Sequence, residues 1–283
     1  MVTQSGQPET LILGASGRIG QSLCRFAHPA WRNRFRLQIR KTRGKAGPWH
    51  VFSPLSEPAE LDRAAQGCKQ ILCLAGAVPG RGADLADNGR LALAAVDAAA
   101  RTGCRRVLLT SSAAVYGRSA GPLQEDQLLE PANPYGEAKA AMEEAAQARG
   151  AELGVAVCAL RIGNVAGFDA ILGGWSPGFV LDQFVDGRTP RRSYVGVETL
   201  AHLLCDLMEA PDLPRAVNVA QPGPVAMGDL LQASDLAFAT RPAPEAAIAE
   251  VAFDLSLLQS SVKAPVAPAD PISLVAQWRA FCQ

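Results

Sequence analysis

Leu11-Ile12-Leu13, Phe35 to Arg40, Gln70 to Leu74, Val107 to Leu109 and Val155 to Leu160 are short, largely apolar runs. Each is too brief for a helix, and glycine, alanine, hydroxyl or basic residues follow it. That pattern predicts parallel strands buried on both faces. Between the runs, apolar residues return at helical spacing: Leu23 and Phe26, a short stretch from Leu61, and Leu91, Leu93 and Val96 within an Ala-rich stretch from Asp87 to Thr102. Gly103 is placed to end that last helix, and Asn88 to cap its start. Pro134 is placed to open another helix at its first turn. Strand and helix alternate, which predicts a doubly wound α/β fold with a parallel sheet of βα units.

From Phe168 the pattern changes. Gly173, Gly174, Pro177, Gly178, Pro190, Pro211, Pro214, Pro222 and Pro224 break the chain into loops and short elements. Ala216 to Val219 reads as a strand, Met227 to Ala233 as a helix and Pro271 to Phe281 as a final helix. Residues 1–167 are therefore expected to form the main sheet. Residues 168–283 should add a small lobe interleaved with late elements of that sheet. The 283 residues suit one large α/β domain with a substantial core.

Composition narrows the function. Lys plus Arg total 27 and Asp plus Glu total 27, so a formal net charge of zero gives no support for nucleic-acid binding. The seven cysteines are scattered, with no C-x-x-C pair, which argues against a disulfide framework or a zinc site and for a reducing compartment. No metal site is expected. Met1 to Thr10 is polar without an apolar leader segment, and no run approaches a membrane span. The expectation is a cytoplasmic protein without membrane association.

Two stretches carry candidate chemistry. After the first strand comes Gly14-Ala15-Ser16-Gly17-Arg18-Ile19-Gly20, and then a helix. Glycines there let the backbone turn tightly and approach a pyrophosphate, whose charge the helix N-terminus stabilises. The second strand ends in Arg40-Lys41-Thr42-Arg43, where dinucleotide folds place an acid for the ribose 2′-hydroxyl of NAD. Arg40, with help from Arg18, suits a 2′-phosphate instead, so NADP is preferred over NAD. The other stretch places Thr110-Ser111-Ser112 at a strand's carboxyl end and Tyr135 and Lys139 one helical turn apart. A lysine ammonium beside a phenol favours the phenolate and lowers its pKa from near 10, making an acid/base for a hydroxyl or carbonyl.

Ser111-Ser112-Ala113-Ala114-Val115-Tyr116-Gly117, followed by Pro134-Tyr135-Gly136-Glu137-Ala138-Lys139, resembles the extended short-chain dehydrogenase/reductase family in its NAD(P)-dependent epimerase/dehydratase branch. The resemblance implies a Rossmann sheet and a small-molecule substrate, a secondary alcohol or carbonyl of a sugar or nucleotide sugar. It implies Tyr135 as the general acid/base, Lys139 as its partner and holder of the nicotinamide ribose, and Ser112 as the catalytic hydroxyl that also touches substrate. Leu74, Ala75 and Gly76 match the small exit loop over which the cofactor passes. Arg161-Ile162-Gly163-Asn164 resembles the Arg-Pro-x-Asn loop and places Asn164 at the substrate site. Arg192 matches a residue for substrate phosphate or carboxylate. A homodimer built on the Asn88 and Tyr135 helices is implied as well.

Departures from the family pattern bear on the reaction. His50 to Leu55 replaces the usual Gly-Asp signature, and Cys73 stands where the family often has His. Cys73 is expected to be a buried structural thiol. Ala113-Ala114 replaces the acid pair of dehydratases, which disfavours dehydration. An NADP(H)-dependent reductase of a smaller carbonyl compound, and a non-catalytic dinucleotide-binding sensor, are the competing readings.

Overall fold

The computed structural model describes residues 9–42, 48–80, 82–119 and 121–283. The basic Arg43, expected beyond the second strand, and the polar start of the chain lie outside them. The first half alternates as the apolar pattern predicts: β1 (Thr10–Leu13), α1 (Arg18–Phe26), a one-turn α2 (Pro29–Arg32), β2 (Phe35–Ile39), β3 (Trp49–Val51), α3 (Pro58–Ala65), β4 (Gln70–Cys73), α4 (Asp87–Thr102) and β5 (Arg106–Ser112). A 3₁₀ turn (Ala113–Tyr116) and the short β6 (Pro122–Leu123) lead to α5 (Pro134–Leu153) and β7 (Ala156–Ile162). Then follow β8 (Asn164–Val165), β9 (Val180–Gln183), β10 (Arg191–Val195), α6 (Val197–Glu209), β11 (Ala216–Val219) and β12 (Pro224–Ala226). The chain ends with α7 (Met227–Ala233), β13 (Ala239–Pro242), β14 (Glu250–Phe253), α8 (Ser256–Ser261) and α9 (Pro271–Cys282).

Seven strands form one parallel sheet in the order β11-β7-β5-β4-β1-β2-β3. Its strands are apolar on both faces because both are covered. Ile12, Leu72 and Leu108 share a buried cluster with Leu23 of α1 and Leu200 and Leu204 of α6. Leu11, Leu13, Ile71 and Leu109 join Val96 of α4 and Met142 and Ala146 of α5 in another. Each such side chain, fully buried, contributes roughly 1.5–3 kcal/mol. The chain leaves β1 toward β2 on one side and reaches β4 on the other. The crevice beyond the carboxyl ends of β1 and β4 is thus the switch point where such sheets bind ligands.

The second half interlaces with the first. β11 supplies an edge strand of the large sheet, while β6 pairs with β14 in a second sheet ordered β12-β10-β14-β6. The last helix ties the layers together. Gln277 Oε1 accepts from the backbone N–H of Glu198 (3.1 Å) and Thr199 (3.0 Å), capping α6, whose own N-cap residue is Gly196. Gly167, at φ +84°, lies against Trp278 so closely that a Cβ there would meet the indole at 2.0 Å.

Candidate active site

The glycine loop is shaped by close approaches. Gly14 adopts φ +80°, and a Cβ on it would lie 2.7 Å from the backbone nitrogen of Ala75, so the loops after β1 and β4 touch. A Cβ on Gly20 would strike the Ala15 backbone at 2.6 Å, which lets α1 press onto the turn. Gly17 is different. It is exposed, and the nearest atom to its Cβ would be Gly14 O at 3.3 Å. It caps α1 without a side-chain bond, and the first turn of α1 carries no acid. Bare backbone at the positive end of a helix fits a dinucleotide pyrophosphate. Ser16 and Ile19 line the same turn: Ser16 O accepts from Gln21 Nε2 at 2.7 Å, and Ile19 packs on the core beneath.

Gln38, fully buried on β2, was missed by sequence reasoning. Its Oε1 accepts from Gly14 N (2.9 Å), and its Nε2 donates to Phe52 O (2.5 Å). The segment His50 to Leu55, which departs from the family pattern, thereby supports the glycine loop. Arg40 is exposed just beyond β2. Arg18 instead lies with its guanidinium 5.3 Å from the centre of the Phe168 ring, linking α1 to the loop after β8.

Tyr135, Lys139 and Ser112 converge at the carboxyl end of β5. Asn133 caps α5 through Gly136 N (2.9 Å), with Pro134 in the first turn as expected. A Cβ on Gly136 would lie 2.3 Å from Ala114 O, so α5 and the 3₁₀ turn pack backbone to backbone. The Ser112 side chain lies close enough to the Tyr135 phenol to act on it, and Ser112 Oγ accepts from Ala114 N at 3.2 Å. Lys139 Nζ donates to Thr110 O at 2.8 Å and lies 5.9 Å from the Tyr135 ring centre. Leu74, Ala75 and Gly76 form the facing loop, and a Cβ on Gly76 would sit 3.5 Å from Lys139 Nζ. Asn88, expected as a helix cap, is buried and instead holds that loop: Oδ1 accepts from Ala77 N (3.1 Å), and Nδ2 donates to Ala77 O (3.0 Å).

Electrostatics correct one expectation. Burial pushes the Tyr135 phenol above its ordinary value, with Ser112 opposing, so the expected lowering by Lys139 does not dominate in the protein alone. Burial also destabilises the Lys139 ammonium, bringing its pKa down to about 8 against the opposing pull of Cys73 and Glu143. Cys73 is buried, its thiol pushed up to about 11 by desolvation, as a structural cysteine should be.

Of the residues expected to meet substrate, Asn164 and Arg192 stand on the neighbouring strands β8 and β10. Asn164 begins β8, paired with Tyr194 of β10, and its side chain lies near the Tyr194 hydroxyl. That hydroxyl donates to Asp169 Oδ2 at 2.9 Å. Arg192, also on β10, donates to Ile248 O (3.0 Å) and Arg191 O (2.7 Å), so its half-buried cation leans on carbonyls. A groove of about 480 Å³ between β9 and β13, lined by Phe184, Val185, Arg241 and Pro244, shares no residue with the Tyr135 set. Among the described residues, no group of three or more His, Cys, Asp or Glu is placed to hold a metal, and no helix is long and apolar enough to cross a membrane.

A doubly wound sheet with a bare glycine turn at its switch point defines a Rossmann-type dinucleotide-binding protein. The profile of the NAD dependent epimerase/dehydratase family matches residues 10–220, and the chain belongs to that family. That family's description names NAD dependent epimerases and dehydratases. A segment of 84 residues is 38% identical to the UDP-glucose 4-epimerase of Azospirillum brasilense, covering 29% of this chain and 24% of that relative's length. Among solved structures, MoeE5 in complex with UDP-glucose and NAD is 21% identical, with a TM-score of 0.77 over 96% of this chain and 97% of the other. TunA, an NAD dependent NDP-hexosamine 5,6-dehydratase, is 20% identical, with a TM-score of 0.77 over 96% and 98%. The UDP-glucose 4-epimerase of Thermus thermophilus in complex with NAD is 17% identical, with a TM-score of 0.75 over 97% and 99%. At such identities these structures establish the fold.

Proposed function

We propose that this enzyme catalyses reversible oxidation at a secondary alcohol of a nucleotide sugar, as an epimerase or oxidoreductase, with Tyr135 as the acid/base. The observation that carries this is the meeting of Tyr135, Ser112 and Lys139 beside Gly76, across from the glycine turn. Bound nicotinamide supplies hydride exchange with the substrate carbon. Tyr135 takes the hydroxyl proton during oxidation and returns it on reduction. Ser112 donates to the substrate oxygen and holds Tyr135 in line. The Lys139 cation supports the phenolate once Tyr135 gives up its proton. Asn164 and Arg192, on the paired strands β8 and β10, receive the remainder of the substrate, Arg192 through phosphate. The absence of acids after Ser112 favours epimerisation or reduction over dehydration.

On the cofactor, Arg40 at the end of β2 favours NADP, whereas the MoeE5 and Thermus thermophilus structures named above are complexes with NAD. A reductase that releases NADP after each cycle is the second reading, and Arg40 is the observation behind it. The protein is further proposed to be cytoplasmic and to pair as a homodimer through α4 and α5.

The test is incubation with UDP-sugars and simple ketones, following nicotinamide absorbance and the stereochemistry of recovered sugar. Tyr135→Phe should bind cofactor nearly as well while losing turnover by roughly 10²–10⁴-fold. Full activity in that variant would reject the role given to Tyr135.

A further inference from the structure

Glu143 lies one helical turn beyond Lys139 and two beyond Tyr135 on α5, and only 3% of it is exposed. Its carboxylate accepts from Ser111 Oγ and, through both oxygens, from Arg161 of β7, with the closest Arg161 contact at 2.8 Å. Arg161 also donates to Tyr116 Oη (2.9 Å) and Glu125 O (2.9 Å), and Tyr116 donates to Asn218 Oδ1 of β11 at 2.7 Å. α5, β5, β7 and β11 therefore meet in one buried polar cluster.

The contacts between α5 and the end of β5 follow a rule. Three successive β5 residues are each met by a residue one turn apart on the helix. Tyr135 neighbours Ser112, Lys139 bonds the carbonyl of Thr110, and Glu143 bonds Ser111. The buried face of α5 is otherwise mostly small, with Gly136, Ala146 and Gly150. Small side chains leave a helix few shape constraints against sliding. A buried ion pair contributes little net stability over an apolar pair of the same shape, so its value here is in placement.

We propose that Glu143 is a positioning residue: through Ser111 and Arg161 it fixes α5 in register with β5, and so sets where Lys139 stands beside Tyr135. The inference rests on the reading of Tyr135 and Lys139 given above. The titratable groups around Lys139 support it. From β4 the Cys73 thiol acts on it and from its own helix Glu143, which Arg161 of β7 bonds, while the Tyr135 ring centre lies 5.9 Å away. Burial lowers Lys139, and Cys73 and Glu143 oppose it. Cys73, itself pushed up to about 11, is uncharged at neutral pH, which leaves Glu143 as the neighbouring anion.

The experiment is an NMR titration of the lysine side chains in the full-length protein without substrate, with Lys139 assigned by its loss in Lys139→Arg. Glu143→Gln should move the Lys139 midpoint down by about one pH unit. Should that variant fail to fold, leaving Arg161 buried without its partner, the double variant Glu143→Gln/Arg161→Met removes both charges. Glu143 is the charge that acts on Lys139, so the midpoint should still fall. A Lys139 midpoint that stays in place or rises in the folded variant overturns the inference and leaves the role of Tyr135 intact. Turnover retained by Tyr135→Phe would reject the functional reading while leaving the titration result standing.

Discussion

Asn88 holds Ala77 through both of that residue's backbone polar groups, accepting from its N–H at 3.1 Å and donating to its C=O at 3.0 Å. This clamp fixes the loop after β4 on which Gly76 faces Lys139. Asn88→Ala would leave both Ala77 groups without their partner, a cost of about 1–3 kcal/mol. Cofactor affinity should weaken with it. Denaturant unfolding and a fluorescence titration with NAD(P)H would measure the two, and unchanged values would remove the clamp from the account of the site.

Gly14 and Gly17 should separate folding from binding. Gly14→Ala forces a side chain into φ +80° and within 2.7 Å of Ala75 backbone, so a loss of about 2–3 kcal/mol of stability is expected. Gly17→Ala meets only Gly14 O at 3.3 Å. That variant should fold within about 0.5 kcal/mol of the parent yet lose dinucleotide binding, because its methyl occupies the bare turn. Calorimetry with thermal unfolding on both variants gives the comparison.

Lys139 makes stability depend on pH. Its folded pKa of about 8 lies below the ordinary lysine value of 10.5, so between the two the unfolded chain binds the extra proton. Stability from this site therefore rises with pH through that window, and the penalty is fully present below pH 8. The penalty has an upper bound of about 3 kcal/mol, from which the Lys139–Thr110 hydrogen bond subtracts. Lys139→Met should be the more stable protein at pH 7 by about 1–2 kcal/mol, and its advantage should shrink toward pH 10. Urea unfolding at both pH values checks the sign.

Arg40 sets the cofactor prediction. Arg40→Ala should weaken NADP by about tenfold and leave NAD nearly unchanged, the loss expected when a charge-assisted phosphate contact is removed. Dissociation constants for both cofactors in parent and variant decide it. Equal weakening of the two, or none, would withdraw the NADP preference.

Much of the frame was legible because it rests on local signals. The apolar runs at Leu11, Ile71 and Val107 became strands, and the helix from Asp87 ends at Gly103 in the left-handed conformation. Pro134 opens α5 behind an Asn133 cap. What escaped was long-range and polar. Glu143 reads as one more acid on an Ala-rich helix until β7 brings Arg161 across. Asn88 reads as a cap because its partner, Ala77, lies in a loop without pattern. The pairing of Pro122-Leu123 with Ala252-Phe253 joins segments that no local periodicity connects.

The cap that Gln277 places on α6 has a bearing on how the chain is made. Helix and cap are 79 positions apart. At the usual 5–20 residues per second, a ribosome takes about 4–16 s to cover that stretch. Through that interval α6 waits with its first N–H groups uncovered, and Gly167 without its indole neighbour. Native order at the start of α6 and around Gly167 therefore waits on α9.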